Sequence, residues 1–315
     1  MWISDGWAIG RDNKTGHVIE DPAVFPSGMK NLTKYLLDRG LSVGIYTSVG
    51  PLTCLGYSAS QPKRPGSCGF EQIDANVYVH EWGMSAIFDD GCGSCPQHDP
   101  YVAMRDALNA TGRPVWYGIH SGTSPGSPNG TVANMWRTGP DLSSSTFSMW
   151  TSRLDTSTTL SQTSLAGPGS FRDPDKLEVG YSPRAVKGST TVMSVREQRA
   201  MFTMWAALPA PLILSADLRR ATSGIDAETL ATLTNLEVIS VNQVRRYPYR
   251  FCALRGVTNL LNLRSLFHLG SSSGADAANK QYLGTRAPSL AQASERRHKR
   301  GGIFSPRGIH GGATA

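Results

Sequence analysis

The fold of this chain is decided by the stretch Ser85-Ala-Ile-Phe-Asp89, the segment Tyr101–Ala110, and Pro114-Val-Trp-Tyr-Gly118. The first and last pieces are short apolar runs, which are typical of buried strands. The middle piece has helical spacing and ends before Gly112. A strand, a helix and a second strand in this order are typical of a parallel pair joined by a crossover helix.

The same alternation extends in both directions from this unit. Further strands are predicted at Leu41-Ser-Val-Gly-Ile-Tyr46, Pro211-Leu-Ile-Leu-Ser215 and Glu237-Val-Ile-Ser-Val241, and further helices at Met29–Arg39, Ser194–Leu208 and Ala227–Leu233. More than six such strands favour an α/β fold of the closed (β/α)8 TIM barrel type over an open doubly wound sheet. No Gly-x-Gly-x-x-Gly follows the first strand, which argues against dinucleotide binding. In such a barrel, the chemistry lies at the C-terminal ends of the strands.

Composition divides the chain into two regions. The 315 residues are 39% hydrophobic, which excludes a wholly disordered chain, and no apolar run reaches the roughly 18 residues of a membrane span. Residues 244–315 hold 12 Lys and Arg against 2 Asp and Glu, whereas residues 1–243 hold 19 against 22. We therefore predict a barrel domain over 1–243 and a basic, low-complexity, largely disordered tail over 244–315. The cluster Arg296–Arg300 is interpreted as a solvated basic run, so neither a nucleic-acid nor a membrane partner is predicted.

The five cysteines bear on the cellular compartment. Cys92-Gly-Ser-Cys95 has the spacing of a redox or zinc site, but Cys54 and Cys68 are too far apart to supply a matching second pair. Structural disulfides are favoured over zinc if the protein is secreted. Four glycosylation sequons, at Asn13, Asn31, Asn109 and Asn129, support that compartment, although Met1-Trp-Ile-Ser-Asp-Gly6 does not have the pattern expected of a signal peptide.

Carboxylates recur just where predicted strands end. They are Asp5, Asp89 with Asp90, Asp141 beyond Met135-Trp-Arg137, and Asp173 with Asp175. A single aspartate at a strand end is more often a helix cap or turn residue. Four clusters on one barrel favour a carboxylate-lined pocket, and paired carboxylates suit glycoside hydrolysis.

Two further interpretations of this pocket concern its aromatic residues and its affinity for cations. A flat apolar wall for a sugar and a plain barrel core are equally consistent with Trp2, Trp7, Tyr46, Trp116 and Trp136. Carboxylate clusters also bind Mg²⁺ or Ca²⁺. Arg137, four residues before Asp141, argues against a purely cationic guest because it would compete for the same oxygens.

Short stretches spread over residues 2–243 resemble one known family. They are Phe25-Pro-Ser-Gly-Met-Lys30, Gly44-Ile-Tyr46, Thr53-Cys54, Ile73-Asp-Ala75, Trp82-Gly83, Asp90-Gly-Cys92, Gly112-Arg-Pro114, Trp136-Arg137, Ala166-Gly-Pro-Gly169, Asp173-Pro-Asp175, Ala210-Pro-Leu212, Asp217-Leu-Arg219 and Val238-Ile-Ser-Val-Asn-Gln243. In order and spacing these stretches are similar to the melibiase-type α-galactosidases, glycoside hydrolase family 27.

The resemblance implies a (β/α)8 barrel that removes terminal α-linked galactose from oligosaccharides, glycolipids or glycoproteins with retention of configuration. It implies neither a metal nor an organic cofactor, and it leaves a homodimer open. Asp90 matches the family nucleophile and Asp141 the general acid/base. Sugar-binding positions are assigned to Asp5, Tyr46, Arg137, Trp136 and Asp175. The role of His120 stays open between a pocket ligand and a plain polar wall residue.

The resemblance also implies a disulfide between Cys54 and Cys92 close to the nucleophile. Cys68 and Cys95 are extra cysteines and could pair with each other. A further family bridge would need cysteines near Ile119 and Ala133, and both are absent.

Several departures from the family pattern concern the site and the ends of the chain. Phe88 stands where the family has a sugar-binding lysine, Ser4 replaces the first of two adjacent aspartates, and His120 stands at the strand end that reads the sugar 2-position. Because Met1 enters at what resembles the second strand, we expect the chain to lack the first βα unit of the barrel. Two alternatives therefore accompany the α-galactosidase prediction: a catalytically impaired homologue that only binds carbohydrate, and a related α-N-acetylgalactosaminidase.

Overall fold

The protein is described by a computed structural model over residues 1–120, 132–143, 146–159, 165–167, 169–180, 193–218 and 225–243. The strands are β1 (Trp2–Ile3), β2 (Ala8–Arg11), β3 (Val18–Glu20), β4 (Gly44–Ser48), β5 (Ala86–Asp90), β6 (Trp116–Ile119), β7 (Met135–Arg137) and β8 (Phe171–Asp173). The helices are α1 (Gly28–Leu37), α2 (Cys54–Tyr57), α3 (Glu71–Asn76), α4 (Pro100–Ala110), α5 (Phe147–Ser157), α6 (Val195–Ala207), α7 (Ala227–Leu233) and α8 (Leu236–Asn242), with a π-helical turn at Val77–Glu81. The predictions for the tail, 244–315, and for Asn129 lie outside these residues.

Six of the strands form one parallel sheet in the order β1, β4, β5, β6, β7, β8. The sheet confirms the α/β fold predicted from the strand–helix alternation. The predicted strand at Pro211–Ser215 is reduced to a single parallel bridge between Leu214 and Leu177. Helices separate most of the sheet strands in sequence, as crossover connections require.

Alternation along the strands separates an apolar helix-facing side from the side that carries the site. Ile3 pairs with Ile45, which in turn pairs with Ile87, and all three are buried in the core against the helices. On the other side, Tyr46 pairs with Phe88, and Phe88 pairs with Gly118. A Cβ at Gly118 would lie 2.6 Å from the terminal methyl of Met135 and 3.0 Å from the Phe88 ring, so glycine allows these two side chains to pack closely over the strand.

A second core lies around helix α6. Its largest members include Trp150, Met201, Phe202 and Trp205. The helix starts with a capping box, in which the Ser194 hydroxyl accepts from the backbone N–H of Glu197 and the Glu197 carboxylate accepts from Ser194. This cap explains why the predicted helix begins where it does.

One predicted strand is wrong: Glu237–Val241 lies within helix α8. The run is short and apolar, and such a run has no periodicity that separates a strand from a helix. The Asn235 side chain accepts from the backbone N–H of Val238, which caps the helix and fixes the outcome locally. No helix in the described ranges is long and apolar enough to cross a membrane.

Candidate active site

Asp90 is the last residue of β5, and its carboxylate lies at the C-terminal edge of the sheet. Its Oδ2 accepts a 2.7 Å hydrogen bond from the Tyr46 hydroxyl. Its Oδ1 accepts from the backbone N–H of Gly91 at 2.8 Å and pairs with His120 Nδ1 at 2.7 Å. The side chain is 16% exposed, so one small open face remains for a substrate.

The surroundings keep Asp90 ionised. Burial opposes the charged form, but the hydrogen bonds from His120 and Tyr46 outweigh it and lower the pKa of Asp90 below its ordinary value. Burial and the neighbouring Asp90 charge raise the pKa of Tyr46, so its hydroxyl stays protonated and donates. An ionised, partly desolvated carboxylate with one open face has the properties of a nucleophile.

A second charged group is centred on Arg137, the last residue of β7. One guanidinium nitrogen, Nη2, lies 3.0 Å from Asp141 Oδ1 and 3.0 Å from Asp175 Oδ2. The side chain of Arg137 is 7% exposed and that of Asp175 is 9% exposed, whereas that of Asp141 is 72% exposed. Asp141 is therefore open to solvent and solutes while its partner is fixed in the protein.

Asp173 and Asp175 reach this group from the end of β8. Burial raises the pKa of Asp173 to about 6 although the charge of Arg137 opposes the rise. Asp175 has φ 88°, a left-handed conformation uncommon for residues other than glycine. Its Oδ2 accepts from the backbone N–H of Leu142 at 2.6 Å and its carbonyl from the Trp205 indole at 2.8 Å. Backbone strain held by this many contacts is a common feature of functional sites.

Asp5 faces backbone groups. Its Oδ1 accepts from the N–H of Gly6 at 2.6 Å and its Oδ2 from the N–H of Leu55 at 2.9 Å. The charge of Asp5 contributes to raising the pKa of Tyr46, so the two side chains are near each other. Asp5 therefore ties the end of β1 to helix α2 beside the site.

The strand order explains why these residues meet. Asp90 ends β5, His120 follows β6, Arg137 ends β7 and Asp173 ends β8, and these four strands are neighbours in the sheet. Parallel strands place their C-terminal ends at one edge. The charge of His120 also lowers the pKa of Asp173, which links the Asp90 group to the Arg137 group.

The described residues contain two disulfides, of which the first was predicted and the second was left open. Cys54 pairs with Cys92, and the Cys54 sulfur lies 3.1 Å from Asp90 Oδ2 and 3.0 Å from the Tyr46 hydroxyl. Cys68 pairs with Cys95. Each bridge is part of a cluster that could otherwise ligate a metal ion, one with Asp90 and one with Glu71 and His98. Because disulfide sulfurs have no thiolate to offer, these clusters lack a cysteine ligand.

The aromatic residues fall into two groups. Trp7 and Trp136 are 3% and 0% exposed and belong to the core, so the core interpretation describes both. The Phe88 ring instead stacks on Tyr46, with centroids 6.3 Å apart, and meets the edge of Trp2 at 6.5 Å. Phe88 precedes Asp90 by two residues on the same face of β5, so an apolar layer lies next to the Asp90 carboxylate.

Two contacts of the site escaped sequence reasoning. The Tyr101 hydroxyl, from helix α4, donates to the His120 carbonyl at 2.6 Å. The Ser48 hydroxyl donates to the carbonyls of Asp90 and Cys92, both at 3.0 Å. Their only sequence signal is position: Ser48 ends a strand and Tyr101 starts a helix after Pro100.

Comparisons with known proteins find one family and several similar chains. A melibiase-type family model described as "Alpha galactosidase A" matches residues 1–244. The Dictyostelium discoideum protein named "Probable alpha-galactosidase" is 38% identical, over 76% of this chain and 57% of its own length. The human alpha-N-acetylgalactosaminidase is 33% identical, over 76% of this chain and 56% of its own length.

A solved structure extends the similarity to three dimensions. Alpha-galactosidase I from Mortierella vinacea matches with a TM-score of 0.62 and 29% identity, over 77% of this chain and 62% of that one. The chain spans little more than half the length of the curated relatives it matches.

Proposed function

Since the chain belongs to the alpha galactosidase A family of melibiases, we propose that it is a retaining exo-glycosidase that removes terminal α-linked galactose. The observation that carries the proposal is the Asp90 carboxylate, ionised and held by Tyr46, His120 and Gly91 at the C-terminal edge of a parallel sheet. Asp141, exposed beside the buried Arg137, is the second carboxyl group that the reaction needs.

The reaction runs in two displacements. In the first, an Asp90 oxygen forms a bond to the anomeric carbon while the bond to the leaving oxygen breaks and Asp141 gives that oxygen its proton. In the second, Asp141 takes a proton from water, the water oxygen bonds to the anomeric carbon, and the bond to Asp90 breaks. Retention requires the two carboxyl groups to be about 5–5.5 Å apart with the sugar between them.

The remaining site residues hold the sugar and the two carboxyl groups. Arg137 orients Asp141 and Asp175 through one nitrogen. Asp5, Tyr46 and Asp175 supply oxygens that can hydrogen-bond sugar hydroxyls.

We propose a carbohydrate as the partner and a secreted or lysosomal location. The two disulfides and the exposed sequon residues Asn13, Asn31 and Asn109 support this location.

Hydrolysis of a chromogenic α-galactoside tests the proposal. Asp90→Asn should abolish turnover, and Asp141→Asn should lower kcat by about 10²–10⁴-fold. Asp106→Asn is the matched control, because Asp106 is an exposed aspartate on helix α4. Proton NMR should show the α-anomer of galactose as the first product. Release of the β-anomer, or full activity in Asp90→Asn, contradicts the mechanism.

The same assay also tests two alternative functions, carbohydrate binding without catalysis and specificity for a different sugar. Phe88 cannot donate a hydrogen bond to a hydroxyl, which favours a chain that binds galactosides without cleaving them. Binding of galactose without turnover by the wild type would establish that role. The human relative named alpha-N-acetylgalactosaminidase makes the matching 2-acetamido substrate the second sugar to test. A higher kcat/KM on that substrate than on the galactoside would reassign the specificity.

A further inference from the structure

His120 makes the shortest side-chain contact to Asp90 Oδ1, at 2.7 Å. A carboxylate has only acceptor sites, so the hydrogen atom between the two must belong to Nδ1, whether the imidazole is neutral or protonated. His120 therefore donates, and its orientation is set by Asp90.

Three neighbouring residues contact or closely approach the backbone of His120. Its N–H donates to the Asp89 carbonyl at 3.1 Å, and its carbonyl accepts from the Tyr101 hydroxyl at 2.6 Å. A Cβ at Gly91 would lie 2.9 Å from the same carbonyl, so the residue after the nucleophile has no room for a side chain. These contacts hold the imidazole at one distance from Asp90.

The two oxygens of Asp90 differ in how many donors they receive. Oδ1 accepts from His120 and from the N–H of Gly91, which uses both of its in-plane lone pairs. Among the residues that the structure describes, Oδ2 accepts from the Tyr46 hydroxyl alone, since the Cys54 sulfur beside it is in a disulfide and has no hydrogen to give. Within this part of the chain, the second lone pair of Oδ2 therefore receives no donor.

We propose that His120 is a positioning residue that, together with Gly91, occupies Asp90 Oδ1 and so assigns the attack on the anomeric carbon to Oδ2. The proposal rests on the proposed glycosidase function and gives His120 a role in holding the nucleophile instead of the sugar. In the first displacement the Oδ2–carbon bond forms as the leaving oxygen takes the proton of Asp141. In the second displacement that bond breaks, and the donors on Oδ1 stabilise the carboxylate that leaves.

Other charged groups face His120 from the neighbouring elements. Asp90 lies on β5 and Asp173 on β8, and helix α4 contributes the neutral Tyr101 hydroxyl. Arg137 on β7 interacts with Asp173 in turn. Two carboxyl groups thus interact with His120, and loss of its side chain should affect Asp90 most, because a direct hydrogen bond joins these two side chains.

The test compares His120→Asn with His120→Ala. The Asn side chain can place an N–H near the position of Nδ1, whereas Ala removes the donor. We expect His120→Ala to lower kcat on an α-galactoside by about tenfold to a hundredfold, the effect of one charged hydrogen bond. KM should change little, the acidic limb of the pH profile should move to higher pH, and His120→Asn should recover most of kcat. A rise in KM alone would instead make His120 a sugar contact, and identical behaviour of the two variants would overturn the proposal.

A readout independent of activity separates this proposal from the proposed function. The carboxyl carbon of Asp90, labelled with ¹³C and assigned by its loss in Asp90→Asn, should titrate at higher pH in His120→Ala than in wild type. His120→Asn should titrate between them. Equal midpoints in all three proteins would overturn the proposal even in an active enzyme. If the wild type cleaves no α-galactoside, the function fails while the titration still decides the pairing. Should His120→Ala not fold, His120→Gln, whose N–H lies further out, replaces it.

Discussion

The Tyr46 hydroxyl donates a 2.7 Å hydrogen bond to Asp90 Oδ2, joining the middle of one strand to the end of its neighbour. The bond links a buried hydroxyl of the site to the carboxylate that we assign as nucleophile. Because Tyr46 stays protonated beside this charge, its hydrogen points at Asp90 throughout the neutral pH range.

Tyr46→Phe should lower kcat/KM by about tenfold or more, because a charged hydrogen bond is lost in a partly buried site. The pKa of Asp90 should rise, so the acidic limb of the pH profile should move to higher pH. The profile is measured on a chromogenic galactoside. Tyr35→Phe, at a tyrosine that is 53% exposed on helix α1, is the control and should match wild type. An unshifted acidic limb in Tyr46→Phe would contradict this role.

The two disulfides should separate stability from catalysis. They close loops of 38 and 27 residues, and the chain-entropy relation gives similar stabilisation for both, roughly 4 kcal/mol each. Removing either bridge by a double Cys→Ala change should therefore lower the free energy of unfolding by similar amounts in urea titrations.

Only the Cys54–Cys92 variant should also lose kcat, because the Cys54 sulfur contacts both Asp90 and Tyr46. The Cys68–Cys95 variant is the matched control, since its sulfurs lie near Gln97 and His98. Equal losses of kcat in the two variants, measured well below their unfolding midpoints, would show that the first bridge has no special effect on the nucleophile.

The strand–helix alternation and the position of Asp90, Arg137 and Asp173 at strand ends could be predicted from the sequence, because burial and strand termination leave local patterns. Helix α8 could not, since its short apolar run fits a strand equally well. The hairpin of β2 and β3 was also missed. Its Arg11 forms an ion pair with the buried Asp74, a contact between residues 63 apart that no local pattern signals.

The contact between His120 and Asp90 was equally hidden. Sequence reasoning placed His120 at the end of a barrel strand but left its role open. Differences of a few ångströms decide whether a histidine there contacts the sugar, forms part of the pocket wall or pairs with a neighbouring side chain. Trp136 shows the converse limit. Its aromatic character fitted a sugar wall, but strand alternation turns it toward the helices and into the core.

Arg137→Met should destabilise the protein strongly. Arg137 is 7% exposed and neutralises Asp173 and Asp175, so its removal leaves buried carboxyl groups without a counter-charge. Breaking a buried pair from one side costs about 3–5 kcal/mol. The free energy of unfolding is measured by urea titration. Arg199→Met is the control, because Arg199 and Glu228 form an exposed pair and such pairs contribute at most about 1 kcal/mol. Similar losses in both variants would contradict the buried pairing.

Asp173 should make stability fall as the pH rises. Burial raises its pKa to about 6 in the folded protein, whereas the unfolded chain titrates near 3.9. The folded state therefore holds the proton more tightly, and the stabilisation from this group is complete below about pH 4 and is lost as the pH approaches 6, by at most about 3 kcal/mol. Asp173→Asn cannot titrate, so the wild-type stability minus that of the variant should decrease across this window in urea titrations. Asp226→Asn provides a contrast of opposite sign, because the hydrogen bonds from Thr229 lower the pKa of this exposed helix cap. For Asp226→Asn, the free energy of unfolding of the wild type minus that of the variant should increase as the pH rises through the acidic range. A flat difference for Asp173→Asn would mean that Asp173 is already ionised at pH 4 in the folded protein.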